Sequence, residues 1–217
     1  MIVKTNITIV IADDHPMILK GLHDELIESN YNVVGQGING KQALELIITH
    51  NPTIALLDID MPILNGFEVI KKAKNKNVDT KFIVLSFYKE NDYILQAKTL
   101  EINGYLLKED SFSEIENCIE NVLEGQICFS KSFAASSLRI VSEELKKIDN
   151  LTSSEKTILK LIAQQITTQE IAEQLFISKR TVEKHRSNIT IKLEISNDSY
   201  YALGTWAYLH KNAILEL

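Results

Sequence analysis

ITIVIADDHP, residues 7–16, sets the apolar run Ile7 to Ala12 directly before two carboxylates, Asp13 and Asp14. The construction recurs three times: Ile54 to Leu57 precedes Asp58, Phe82 to Leu85 precedes Ser86, and Tyr105 to Leu107 precedes Lys108. Short β-branched runs bounded by polar residues read as buried strands of a parallel sheet, and such sheets bind ligands outside the carboxyl ends of their strands. One polar residue at a strand end would simply meet solvent. Four at successive strand ends are expected to share a pocket.

The groups themselves say what that pocket could do. Crowded carboxylates repel one another and stay ionised together only beside a cation, and a hard, oxygen-seeking ion such as Mg²⁺ suits them. Lys108 adds a fixed positive charge and Ser86 a hydroxyl donor, enough to surround the oxygens of an incoming phosphoryl group. The expected chemistry is phosphoryl transfer to a carboxylate.

Between the apolar runs the period changes. Met17, Leu19, Leu22, Leu26 and Ile27 predict a helix after Pro16, and four more helices follow around Ala43 to Ile48, Phe67 to Ile70, Ile94 to Leu100 and Ile115 to Leu123. Val33 and Val34 supply a second strand. Five strands alternating with five helices predict an α/β domain with a doubly wound, five-stranded parallel sheet.

The chain of 217 residues has 45% apolar side chains, enough for two domains. Residues 1–130 carry 11 lysines and 19 acids (11 − 19 = −8), whereas 131–217 carry 12 basic residues and 10 acids (12 − 10 = +2), which sum to the overall −6. An acidic domain thus precedes a mildly basic one. The sequence contains no run approaching the roughly 20 apolar residues of a membrane span, and its start, MIVKTNITIVIADD, lacks the features of a signal peptide. The expectation is a cytoplasmic protein with no membrane partner. Cys118 and Cys128 have neither metal-ligand spacing nor a disulfide framework and read as reduced thiols, Cys118 lying on the helical face of Ile115, Ile119 and Val122.

Residues 126–150 show no strand pattern and read as a linker, with Phe133, Leu138, Val141 and Leu145 on one helix face and Lys146 to Asn150 as an exposed tether. From 151 to 217 the pattern is an all-α bundle of four helices. Thr152 with Glu155 and Thr167 with Glu170 are capping boxes that start helices near Ser153 and Thr168, and Ser178 caps a third helix ending near Leu193. The second and third have helix-turn-helix proportions. In the third, Val182, His185, Ile189 and Leu193 share an inward face, while Arg180, Lys184, Ser187 and Ile191 lie opposite. Lys179, Arg180, Lys184, Arg186 and Lys192 meet a single acid, Glu183, which suits an anionic partner. A fourth helix is expected over Tyr200, Leu203, Gly204, Ala207 and Tyr208.

The segments ITIVIADDHP, LLDIDMPILNG, IVLSFY and GYLLK, in this order and spacing, resemble the receiver domain of two-component response regulators across about residues 6–125. The resemblance implies a receiver over 1–125 in which a sensor histidine kinase phosphorylates Asp58. Asp13 and Asp14 would position Mg²⁺, Asp60 would offer it a backbone carbonyl, and Lys108 would pair with the phosphoryl group. It also implies a switch in which Ser86 turns toward the phosphoryl group and Tyr105 swings inward. Phe87 stands where a small residue is frequent, and Glu109 where proline is common.

LTSSEKTILKLIAQQITTQEIAEQLFISKRTVEKHRSNITIKL, residues 151–193, resembles the LuxR-type helix-turn-helix, departing from it at Ser154 and at Gln165, where glycine is usual. The resemblance places helix 179–192 in the DNA major groove. Glu183, Lys184 and Ser187 would reach base edges and Lys179, Arg180, Arg186 and Lys192 phosphates, with the fourth helix making a dimer contact. Receiver plus this output domain is the architecture of the NarL/FixJ class. The chain is thus expected to be a DNA-binding response regulator, homodimeric when phosphorylated or DNA-bound. It would hydrolyse its own acyl phosphate at most and not be a turnover enzyme. A phosphorylation-independent regulator with a receiver used only for protein contacts is the alternative, and a haloacid dehalogenase-type phosphatase a remoter one, because Asp13 and Asp14 precede the Asp58-Ile59-Asp60 motif.

Overall fold

The computed structural model describes residues 3–195 and 202–217. They form two compact units, one of Met1–Lys89 with Leu100–Phe133, the other of Glu90–Thr99 with Ala134–Leu217.

The first unit is a parallel sheet of β1 (Thr8–Ala12), β2 (Asn32–Gly37), β3 (Ile54–Asp58), β4 (Lys81–Ser86), β5 (Gly104–Leu107) and β6 (Cys128–Phe129), in the order β2-β1-β3-β4-β5-β6. Its helices are α1 (Pro16–Glu28), α2 (Gly40–His50), α3 (Gly66–Lys74) and α5 (Phe112–Leu123). The central strands are buried along nearly their whole length, as the unbroken apolar runs require of a sheet covered on both faces. The chain leaves β1 toward β2 on one side and returns to β3 on the other. The order reverses between β1 and β3, and a crevice at their carboxyl ends follows from that reversal.

Local chemistry sets the helix starts. Pro16 opens α1, Asn39 accepts the Gln42 amide ahead of α2, and capping boxes of Asn65 with Glu68 and Ser111 with Glu114 start α3 and α5. Gly66 is fixed by proximity: a Cβ there would stand 2.2 Å from the carbonyl oxygen of Asp58, so only glycine lets α3 begin against the end of β3.

The sheet has six strands where the sequence predicts five. Cys128 N–H donates to Asn103 O at 3.0 Å and Ser130 N–H to Tyr105 O at 2.8 Å, adding a parallel edge strand within the segment read as strandless. Two residues are too few to show a period of two.

The second unit contains α4 (Asn91–Thr99), α6 (Ala135–Asp149), α7 (Ser153–Ala163), α8 (Thr168–Gln174), α9 (Lys179–Lys192), α10 (Ala202–Leu209) and α11 (Lys211–Glu216). Caps at Thr152, Thr167 and Ser178 start α7, α8 and α9 where expected. The tether expected at Lys146 to Asn150 is instead the last turn of α6, anchored by buried Ile148. Beyond α9 the described residues hold two helices in place of one, and the expected helical position Tyr200 lies outside them. Gln165, at the position where glycine is usual in the LuxR-type helix-turn-helix, sits in the left-handed region at φ 62°, as does Phe176 at φ 54° in the turn between α8 and α9.

Candidate functional site

β1, β3 and β5 deliver Asp13, Asp58 and Lys108 to the same crevice, and all three side chains are almost fully buried. Lys108 Nζ lies 2.7 Å from Asp13 Oδ2 and 2.8 Å from Asp58 Oδ2. Its approach to Asp58 is an ion pairing without hydrogen-bond alignment, because that oxygen has no aligned donor. Burial raises the pKa of Asp58, with Asp13 adding to it and Lys108 opposing it. Burial also works against the Lys108 ammonium, but its bonds to Asp13 and Asp58 outweigh that and raise its pKa.

Ser86 ends β4, is buried, and accepts the Tyr88 amide at 3.2 Å. Lys108 N–H donates to Ser86 O at 2.9 Å, which ties the end of β5 to the end of β4. The Phe87 ring is exposed and its centroid lies 5.3 Å from Lys108 Nζ, so it borders the crevice beside the cation.

Ligand atoms of Asp13, Asp14, His15 and Asp58 lie within 4.8 Å of one another. Asp14 Oδ1 and Asp58 Oδ2 are buried oxygens without an aligned hydrogen-bond donor. A hard divalent cation would satisfy both and offset the crowded negative charge, so the donor set fits Mg²⁺.

Tyr105 is fully buried in β5; its hydroxyl donates to Tyr88 O at 2.9 Å and its ring meets Phe133 edge-on at 5.1 Å. Sequence reasoning missed two participants. His15 Nδ1 lies 3.0 Å from Asp13 Oδ1 and 2.9 Å from Asp14 Oδ1, and the Tyr88 hydroxyl donates to the Asp60 carboxylate. His15 could have been flagged as a potential ligand directly after an acidic pair. Nothing in the sequence pairs Tyr88 with Asp60.

On α9 and at its C-cap, Val182, Ile189 and Leu193 are buried, whereas Lys179, Arg180, Glu183, Lys184, Ser187 and Ile191 are exposed and Arg186 and His185 are half-buried. The outer face is therefore polar and basic over a buried apolar seam. Lys192 is engaged differently: it donates to Glu155 Oε2 at 2.7 Å and to Asn150 O at 3.2 Å.

The chain matches the response regulator receiver domain family over residues 9–120 and the luxR family of bacterial regulatory proteins over residues 149–203. The protein is a two-component response regulator. This response regulator is 34% identical to the uncharacterized transcriptional regulatory protein YhcZ of Bacillus subtilis, over 92% of its own length and 95% of that protein's. It is 30% identical to the nitrate/nitrite response regulator NarL of Escherichia coli, over 88% and 90%. RcsB of Salmonella enterica, solved bound to a promoter in the presence of the phosphomimetic BeF₃⁻, is 25% identical and matches with a TM-score of 0.58 over 95% of this chain and 98% of RcsB. The response regulator is thus a transcription regulator with a LuxR-type DNA-binding domain. No helix among its described residues is long and apolar enough to cross a membrane.

Proposed function

We propose that a sensor histidine kinase phosphorylates Asp58 and that this controls how α9 binds promoter DNA. The observation that carries the reading is the buried Asp13–Lys108–Asp58 cluster beside Ser86, with two buried carboxylate oxygens that lack an aligned hydrogen-bond donor. Residues 1–125 act as the receiver, 126–150 as the linker and 151–217 as the reader of DNA in the cytoplasm.

An Asp58 carboxylate oxygen attacks the phosphorus, the bond to the donor breaks, and an acyl phosphate forms. Asp13, Asp14 and Asp58, with the Asp60 carbonyl, would hold Mg²⁺, which supplies positive charge to the phosphoryl oxygens. Lys108 offers its ammonium to the same oxygens, and in doing so gives up part of its hold on Asp13 and Asp58. Ser86 turns its hydroxyl to the phosphoryl group and gives up the Tyr88 amide. Because Tyr105 also holds Tyr88 through its carbonyl, one displacement reaches the buried aromatic.

Lys179, Arg180 and Arg186 serve phosphates and Glu183, Lys184 and Ser187 base edges in the major groove. RcsB's capture on a promoter with BeF₃⁻ supports a DNA-bound, phosphorylation-linked state here, with a homodimer placing two reading heads on one duplex.

The test is intact mass after incubation with a small acyl phosphate and Mg²⁺, comparing native chain with Asp58→Ala. One hydrolysable phosphoryl group on the native chain alone is expected. No addition, even with candidate kinases, would replace this reading with control through protein partners.

A further inference from the structure

Cys118 on α5 and Cys128 on β6, read from the sequence as two unrelated thiols, are neighbours in the fold. Gly104 and Cys128 are directly paired on β5 and β6, so a side chain at Gly104 would point to the same face of the sheet as Cys128. A Cβ built on Gly104 would stand 2.9 Å from Cys118 Sγ. The Cys118 sulfur therefore fills the space that glycine leaves open, beside Cys128, and any larger residue at 104 would push it out. Both cysteines are free, Cys118 buried and Cys128 half-buried at the sheet edge.

We propose that Cys118 and Cys128 form an oxidation site that a small peroxide closes to an intramolecular disulfide, fastening β6 to α5. Cys128 is the reacting thiol. It is the more accessible, and the neighbouring Cys118 thiol, helped by Lys131, lowers its pKa, although burial and Asp110 oppose this. The neighbouring Cys128 sulfur and burial push the Cys118 thiol up, which keeps it protonated until it is called on. The Cys128 thiolate attacks one peroxide oxygen; the O–O bond breaks, a sulfenic acid forms, and the departing hydroxide takes up the proton the thiol released. Cys118 sulfur then attacks the Cys128 sulfur, the S–S bond forms, the S–O bond breaks, and hydroxide leaves with the Cys118 proton as a second water. Peroxide gains the two electrons that the sulfurs lose. In a reducing compartment such a pair cycles as a sensor and does not serve as a permanent staple.

The link has a defined structural consequence. Phe129 follows Cys128, and its ring lies 6.3 Å from Phe133, which in turn lies 5.1 Å from Tyr105. Anchoring β6 holds that aromatic row in place over β5. The inference stands on the thiol geometry alone and is independent of whether Asp58 is phosphorylated.

The reduced full-length chain is titrated with hydrogen peroxide, alkylated after denaturation and weighed intact, then digested to find linked peptides. The expected result is a loss of about 2 Da, no alkylation, a peptide joining Cys118 to Cys128, and recovery of both thiols with dithiothreitol. In Cys118→Ala the Cys128 sulfenic acid should persist and be trapped by dimedone. In Cys128→Ser, altered at the more exposed position, Cys118 should stay reduced at the same dose. Two alkylated cysteines after treatment, oxidation of Cys128 to sulfinic acid without a link, or links only between separate chains would each overturn the proposal.

Discussion

Lys108 carries the only ammonium within bonding distance of both Asp13 and Asp58 among the described residues, and that sets the electrostatics of the pocket. Replacing it with methionine keeps much of its volume but leaves buried carboxylates facing each other. Breaking one side of a buried pair costs roughly 3–5 kcal/mol unless the remaining charge is neutralised. Protonation can do that here. With Lys108 gone, its opposition to the burial-raised Asp58 pKa is lost, so the folded state holds protons that the unfolded chain releases. For an acid with a raised folded pKa, stability falls as pH rises. Lys108→Met should therefore lose most stability near about pH 8 and recover much of it near about pH 5.5. Added Mg²⁺ should also restore part of it at the higher pH, because binding to the folded state alone raises stability. Urea denaturation at both pH values checks this; a loss equal at both would mean the carboxylates do not feel one another.

Glu155 joins two elements at once. It is 3% exposed, accepts the Thr152 amide at the start of α7 at 2.8 Å, and pairs with Lys192 at the end of α9 at 2.7 Å. Burial opposes its charge, but Lys192 and Thr152 outweigh that and hold its pKa below the ordinary 4.5. A depressed folded pKa contributes stability that is present above 4.5 and lost as pH falls through the lower folded value. Glu155→Gln should cost about 1–3 kcal/mol at neutral pH and flatten the acid limb of the stability curve, as read by thermal melts across that window. A second test at this scale concerns β6. Phe133→Ala removes a buried ring from Tyr105 and should cost about 3 kcal/mol, and hydrogen exchange at Cys128 and Ser130, whose amides form the β5–β6 ladder, should quicken more than at β1. The strands that frame the pocket were legible because buried parallel strands need unbroken apolar runs, and the caps of α7, α8 and α9 because their side chains act within three residues. What stayed hidden depends on the course of loops. Tyr88 reaches Asp60 across 28 positions, and β6 is two residues whose pairing comes entirely from its neighbours. The end of α6 was hidden for a different reason: Ile148 lies seven residues after buried Val141 on the same helical face, but the surrounding polar residues made the segment look like a tether.

At the scale of the molecule, charge is segregated, −8 over residues 1–130 against +2 over 131–217, so attraction to DNA has to come from a local surface. α9 supplies it. Lys179, Arg180 and Lys184 are exposed and Arg186 is half-exposed, whereas Lys192 is held by Glu155. Each phosphate neutralised contributes about −0.9 to the slope of log K against log salt, so Arg180→Ala should weaken binding to every duplex and reduce that slope by roughly 1 per protomer. Lys192→Ala should behave in the opposite way. Its loss leaves Glu155 buried without its cation, so the melting temperature should drop while the salt slope of the folded protein changes by much less. Fluorescence anisotropy across a salt series, paired with thermal melts of the same full-length variants, separates the two roles. A Lys192 variant that keeps its stability and loses a full phosphate from the slope would return that residue to the DNA-facing set. The sequence places Lys192 there by its charge and position on the helix, whereas its contact with Glu155 is made by a different helix folding back against it.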